Sequence, residues 1–300
     1  MTYCCPAKIN LGLNVVERRP DGYHNLETVF FPVPGLHDVL EVTPSVGAGP
    51  VPAHPHACAT TLSNLHPDCD LTVTNMVIDG DVQNNLVVRA YKLLKEEFPT
   101  LPHVKARLHK AIPTQAGMGG GSSDGAAMLL ILNKMFHLGL TEQQLIDRSA
   151  RLGADCPIFI LNRPAYAEGI GERLYPIELT LQGYKLVVVR PDIPVSTKEA
   201  FSLITPRHPE KCCRDIVAQP VETWRDELTN DFEKSVFALH PEIAAIKDKL
   251  YDLGAVYAAM SGSGSAVFGI FRDTLPTDIL SDADTRHSLF KDMFVWASAD

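Results

Sequence analysis

Gly117, Gly119, Gly120 and Gly121 put four glycines in five positions around Met118, with Pro113 upstream and Ser122, Ser123 and Asp124 directly after. Glycine lets the backbone come close to a ligand and adopt positive φ. The amides of such a turn, backed by a helix N-terminus, make an anion site suited to a polyphosphate. The two serine hydroxyls can bind phosphate or a magnesium ion, and Ser123 is the candidate metal ligand. Asp124 has the position of an acidic residue placed in a first helical turn for the macrodipole. A side chain grafted onto Gly120 is expected to occupy the space of the phosphates. Spacing excludes two commoner phosphate loops, since no lysine follows the glycines and no Gly-x-Gly-x-x-Gly is completed here. Taken alone, the cluster also fits a plain strand-to-helix turn.

The elements around this loop follow from periodicity. Ala7, Ile9, Leu11, Leu13 and Val15 alternate with small or polar residues, the signature of a half-buried strand, which places Lys8, Asn10 and Asn14 together on its other face. Further strands are predicted at Val29–Phe31, Val39–Thr43, Leu71–Thr74, Val104–His109 and Tyr184–Val189, and a glycine-interrupted hairpin at Tyr257–Ser261 and Ala266–Phe271. Asn84 is the predicted cap of a helix carrying Leu86, Val87, Ala90, Leu93 and Leu94. A second helix follows the glycines over Ser122–Phe136, a third opens on the capping box Thr141 with Gln144, and Ser196 with Glu199 makes another such box. Pro241–Leu253 reads as a further helix. Between Pro44 and Pro67 the chain loses periodicity and reads as a long surface loop or insertion.

Pro-x-x-x-Gly-x-Gly-Gly-Gly-Ser-Ser, from Pro113 to Ser123, resembles the ATP-binding motif of the galactokinase, homoserine kinase, mevalonate kinase (GHMP) superfamily, with Met118 where that family usually carries leucine. Pro6, Ala7, Lys8, Ile9, Asn10 and Leu11 are similar to its first motif. Ser261, Gly262, Ser263, Gly264 and Ser265 are similar to its third, a second glycine loop that backs the phosphates. The resemblance therefore runs over about the whole chain. It implies a two-domain α+β fold, a ribosomal protein S5 domain 2-like N-terminal domain over residues 1–163 and a ferredoxin-like C-terminal domain over 164–300. It also implies ATP and Mg²⁺ as cofactors and a small-molecule alcohol as phosphoryl acceptor.

Residue roles follow from the same likeness. Gly153-Ala-Asp-Cys-Pro-Ile-Phe159 resembles the segment bearing the catalytic aspartate, here Asp155, with Lys8 as the cation that keeps it ionised. A lone carboxylate between apolar segments is costly to bury without such a partner; the alternative is a turn in which Asp155 bonds local amides. Arg19–Thr28 is similar to a segment of the branch acting on a cytidine diphosphate-linked methylerythritol, where the tyrosine stacks on the base and the histidine reads its edge, here Tyr23 and His24. By position, Asn10, Thr197 and Phe201 join that substrate site, and Asn85 and Lys110 match adenine contacts, although a helix start and a solvated strand end explain the last two equally well. A homoserine or mevalonate kinase would have no use for Tyr23 and His24, and a catalytically silent sensor would need neither Lys8 nor Asp155.

Composition agrees and excludes much. The 300 residues are 45% hydrophobic and 21% charged, enough for two cores. With 27 basic against 36 acidic residues and a net charge of -9, no basic cluster suits nucleic acid. No apolar run approaches membrane-spanning length. Seven cysteines without Cys-x-x-Cys spacing read as reduced thiols of a cytoplasmic protein, and the oligomeric state is not encoded in any of these signals.

Overall fold

The computed structural model describes residues 1–45, 62–64, 69–76, 81–272, 275, 290 and 292–298. Most of the stretch Pro44–Pro67, read as an insertion, lies outside the described residues, as does Cys58. The chain divides into two compact units.

Unit 1 comprises Met1–Ala7, Leu36–Thr114 and Gly119–Asn162. It holds the start of β1 (Thr2–Arg18), the second half of β2 (His24–Pro44), β3 (Leu62–Asn64), β4 (Cys69–Thr74), α1 (Leu86–Glu97), β5 (Val104–His109), α2 (Gly120–Met135), α3 (Glu142–Ala150) and α4 (Cys156–Leu161). β4 and β5 run parallel from Cys69↔Val104 to Thr74↔His109. A parallel pair needs a long crossover, and α1 lies in it. On its other side β5 pairs antiparallel with β2, Val39 opposite His109 and Pro44 opposite Val104. In β5, Val104, Ala106 and Leu108 are buried while Lys105, Arg107 and His109 face out, the period-two pattern expected of a half-buried strand. Gly125 lets α1 and α2 approach closely, since a Cβ there would stand 2.9 Å from Leu86 Cβ.

α1 starts one residue later than predicted. Asn85, not Asn84, is its cap, with an extended backbone and Oδ1 accepting from Val87 N–H at 2.9 Å. Asn84 closes the preceding 3-10 turn, so the cap falls on the next residue able to turn a carbonyl oxygen onto the first helical amides. The predicted boxes of Thr141 with Gln144 and Ser196 with Glu199 are both formed.

Unit 2 comprises Lys8–Gly35, Gln115–Met118 and Arg163–Asp300. Here the first half of β2 pairs antiparallel with β6 (Ala165–Glu168), and β6 with β7 (Arg173–Pro176). A separate sheet has the order β11-β8-β10-β9, from β8 (Tyr184–Arg190), β9 (Tyr257–Met260), β10 (Val267–Arg272) and β11 (Phe294–Ala297), every pair antiparallel. Counted within this sheet the order is 4-1-3-2, the ferredoxin-like arrangement. α5 (Thr197–Phe201), α6 (Cys213–Val217), α7 (Trp224–Glu227), α8 (Phe232–Leu239) and α9 (Pro241–Asp252) complete the unit. Val236, Ile243, Ile246 and Leu250 of the last two helices pack with Val187, Val189, Ala258, Met260 and Val267 of the sheet.

The chain passes between units at Asn162 and Arg163, and also after Ala7, Gly35, Thr114 and Met118. The N-terminal half is not one contiguous domain, however, because residues 8–35 and 115–118 group with unit 2. β1 and β2 are 17 and 21 residues long, and each is shared between units, which a division by sequence order does not reveal.

Candidate active site

The glycine loop leaves β5 and enters α2. Gly117 and Gly119 both have φ of 70°, a left-handed backbone that glycine adopts without penalty. Gly119 caps α2 with no side-chain hydrogen bond, so no side-chain cap takes up the first amides of this 16-residue helix, a group of donors that attracts anions. The glycines do not all face the same way. A Cβ on Gly121 would meet nothing within 4 Å, whereas one on Gly120 would lie 3.0 Å from Ile112 Cγ2 and 3.2 Å from Lys110 Nζ. A side chain added at Gly120 would therefore enter the protein interior and not, as expected, the open side, which Gly121 borders.

The serines divide in the same way. Ser123 is 1% exposed, and among the described residues its Oγ meets no hydrogen-bond partner. Ser122 is half-buried and bonds Cys156 at the start of α4. Burial pushes the Cys156 thiol up to about 12, with Ser122 and Arg89 pulling down and Asp155 pushing up. Asp155 itself is half-buried at the N-terminus of α4, where its side chain makes no capping hydrogen bond. Arg89, on the exposed side of α1, is a cation near this corner that sequence reasoning passed over.

Lys110 is not at a solvated strand end. Its ammonium is 2% exposed and bonded to Asp38 and, at 2.9 Å, to Asp124. The side chain expected to meet adenine is turned inward. Asp124, in turn, does not serve the helix dipole from the surface; it is 2% exposed and has Lys110 as its partner. Burial raises the Asp124 carboxyl and the Asp38 carboxylate adds to the rise, against the pull of Lys110. For Lys110 burial works downward, yet the two carboxylates outweigh it and raise its pKa.

In unit 2, Lys8 is also 2% exposed. Its Nζ donates to Asn10 Oδ1 at 2.7 Å and to the Gly117 carbonyl at 2.9 Å, and it lies over the Phe30 ring at 5.1 Å. Asn10 passes the chain on to Thr28 Oγ1 at 3.0 Å. The third-motif loop meets the same group: Ser261 Oγ donates to the Gly117 carbonyl at 2.9 Å, and Gly262 and Gly264 take φ of 54° and 88° on either side of Ser263. Asn230, not singled out from sequence, holds this loop by donating to the carbonyls of Met260 and Gly262, both at 2.8 Å.

Four of the residues expected to contact the base, Tyr23, His24, Thr197 and Phe201, lie in unit 2. The His24 ring stacks on Phe201 with centroids 4.6 Å apart and planes at 23°, and Phe201 meets the edge of Phe232 at 4.7 Å. Tyr23 is 62% exposed on the turn beside it, and Thr197 opens α5 on the surface. Asp21 shapes that turn, accepting from Tyr23 N–H at 3.1 Å and pairing with Arg19 at 2.7 Å. Among the described residues no three His, Cys, Asp or Glu side chains form a metal cluster. No described helix is long and apolar enough to cross a membrane.

Residues 85–163 match the model of the GHMP kinases N terminal domain, and residues 214–284 that of GHMP kinases C terminal. A 4-diphosphocytidyl-2-C-methyl-D-erythritol kinase of Bacteroides fragilis is 50% identical over 265 residues, 88% of this chain and 90% of the relative. The enzyme of that name from Bacteroides thetaiotaomicron is 48% identical over 284 residues, 95% and 96% of the two chains. A crystal structure of 4-(cytidine 5'-diphospho)-2C-methyl-D-erythritol kinase superposes with a TM-score of 0.76 at 32% identity, covering 99% and 98%. A homoserine kinase from Cytophaga hutchinsonii shares the fold, with a TM-score of 0.67 at 13% identity and coverage of 98% and 94%. With both family domains matched in order and relatives at half identity over nearly full length, the chain belongs to the GHMP kinases, in their 4-diphosphocytidyl-2-C-methyl-D-erythritol kinase family.

Proposed function

We propose that this protein transfers the γ-phosphoryl group of ATP to the C2 hydroxyl of 4-diphosphocytidyl-2-C-methyl-D-erythritol, giving the 2-phosphate, an intermediate of non-mevalonate isoprenoid synthesis. The observation that carries the choice of substrate is the aromatic site of unit 2, His24 stacked on Phe201 beside the exposed Tyr23. A flat aromatic face accepts a base by stacking, and a ring nitrogen in a fixed place selects among base edges. A kinase of homoserine or mevalonate would gain nothing from it.

The chemistry is shared among named residues. The open side of Gly121 and the first amides of α2 receive the phosphates, and Ser122, half-buried and bonded to Cys156, is the neighbouring loop hydroxyl that would serve a magnesium ion. When bound, magnesium screens the β and γ oxygens. Asp155 accepts the proton of the attacking C2 hydroxyl as its oxygen forms the new bond to phosphorus; the bond from γ-phosphorus to the bridging oxygen breaks, and ADP leaves. Lys8 keeps a positive charge at the Gly117 carbonyl, and the third-motif loop buttresses the same carbonyl through Ser261. Asn85, already capping α1, stands at the helix start where an adenine contact was expected. A cytoplasmic setting goes with this reading, since the six described cysteines are all free thiols.

A coupled assay of ADP release tests the proposal. Turnover is expected with the cytidylated alcohol and little with its uridine analogue, because a site built for one base edge leaves polar groups unpaired with the other. Equal turnover of the two, or preference for homoserine or mevalonate, overturns it.

A further inference from the structure

We infer that the buried trio Asp38, Lys110 and Asp124 positions the phosphate-binding end of α2 and so sets the affinity for ATP, an inference that rests on the function proposed above. The three side chains are 0%, 2% and 3% exposed. They come from three elements: Asp38 from β2, Lys110 from the residue after β5, and Asp124 from the start of α2. Asp38 Oδ1 accepts from the amides of Ala111 at 2.6 Å and Ile112 at 2.8 Å, fixing the segment that leads toward the loop. Its other oxygen takes Lys110, whose ammonium reaches Asp124 at 2.9 Å and so ties the helix start to that segment. The backbone of Lys110 is held as well, donating to Thr74 and accepting from Asn75.

Gly120 shows how close this tie lies to the nucleotide side. The space its Cβ would take is 3.2 Å from Lys110 Nζ and 3.0 Å from Ile112, and the next residue, Gly121, faces the open side. The trio thus sits one residue's thickness behind the phosphate amides. Burying three charged groups costs free energy that a pair of apolar residues would not. A general stabilising role accounts poorly for that expense here, whereas fixing donors aimed at a polyphosphate accounts for it directly. Two carboxylates with one ammonium also place excess negative charge behind an anion site. That charge opposes ATP electrostatically, so the two roles predict opposite signs.

Asp124→Leu separates them. It removes the tie to α2, leaves Lys110 neutralised by Asp38, and takes away one negative charge. Binding of β,γ-imido-ATP and of CDP by calorimetry on the full chain, with a melting curve, reads the outcome. Positioning predicts analogue affinity weakened about tenfold or more, since small displacements of aligned groups carry costs of this order. CDP affinity should stay within about twofold, and Asp124→Asn, whose carbonyl still accepts from Lys110, should restore analogue binding to within about threefold. Unchanged or tighter analogue binding in Asp124→Leu, with or without a lower melting temperature, overturns the inference. Should that variant not fold, Lys110→Met/Asp124→Leu combined with Asp38→Asn, whose side-chain carbonyl still accepts from the two amides, leaves no unpaired charge and must show the same weakening. Failure of the wild-type protein to bind the analogue would instead overturn the nucleotide-site reading and this inference with it.

Discussion

Gly120 and Gly121 are neighbours of the same type, and the fold assigns them opposite duties, so alanine at each should fail in a different way. At Gly121 the new methyl meets no atom within 4 Å, and the position lies at the start of α2. Folding should be unaffected or gain up to about 1 kcal/mol, the usual helix preference of alanine over glycine. That methyl stands where the phosphates are proposed to lie, and the expected loss of ATP affinity is about tenfold or more, or at least ~1.4 kcal/mol. At Gly120 the methyl is driven to 3.0 Å from Ile112 and 3.2 Å from Lys110. Overpacking of this kind costs about 1–3 kcal/mol, which the same helix preference offsets in part, leaving a net loss of about 0–2 kcal/mol. Urea unfolding gives the stability of each variant, and calorimetric titration with an ATP analogue gives the affinity. Wild-type nucleotide affinity in a stable Gly121→Ala protein would refute the placement of the phosphates on that face of the loop.

Three further outcomes are expected. His24→Ala removes the ring stacked on Phe201 and should raise KM for the cytidylated substrate by a factor corresponding to about 1–3 kcal/mol, the range for stacking on a base; steady-state kinetics should find KM for ATP nearly unchanged. Asp155→Asn should lower kcat by roughly 10² to 10⁴, the lower end being favoured by a loose phosphoryl-transfer transition state, with substrate affinities little changed. In alkylation at pH 8, the exposed Cys4 should label in the native protein, while Cys156, buried and pushed up to about 12, should label only after unfolding; mass spectrometry of the peptides distinguishes the two, and early labelling of Cys156 would contradict its burial.

Punctuation made much of this protein legible. Glycine, proline and capping residues act locally, so the glycine loop, the boxes at Thr141 and Ser196 and the hairpin of β9 and β10 could be read from short windows. His24 and Phe201 are far apart in sequence, and no local rule predicts their stacking. What stayed hidden depends on the third dimension. Asp38 looks like any charge in an amphipathic strand, and Lys110 like a strand end reaching for water. Their pairing across 72 positions exists only once β2 and β5 lie side by side. Asp124 would be a first-turn acid only in a helix starting at Ser122; α2 starts at Gly120, which moves Asp124 past the first turn, and packing turns that face inward.

Helix packing likewise decides which way neighbouring residues of the phosphate loop face. A motif specifies which residues occur, and the phase of the helix specifies which of them face a ligand. With Gly119 left-handed and Gly120 the first residue of α2, successive side-chain directions advance by about 100°. Gly120 therefore points toward Ile112, Gly121 toward open space, Ser122 toward Cys156, and Ser123 and Asp124 into the interior. Within one turn the motif alternates between ligand-facing and structural positions. Its chemistry then depends on the interior members as much as on the exposed ones, because amides can bind phosphate tightly only where the turn that carries them is held from behind. A substitution at Asp124 and one at Gly121 should for that reason both reach the nucleotide, the first by loosening the donors and the second by obstructing them.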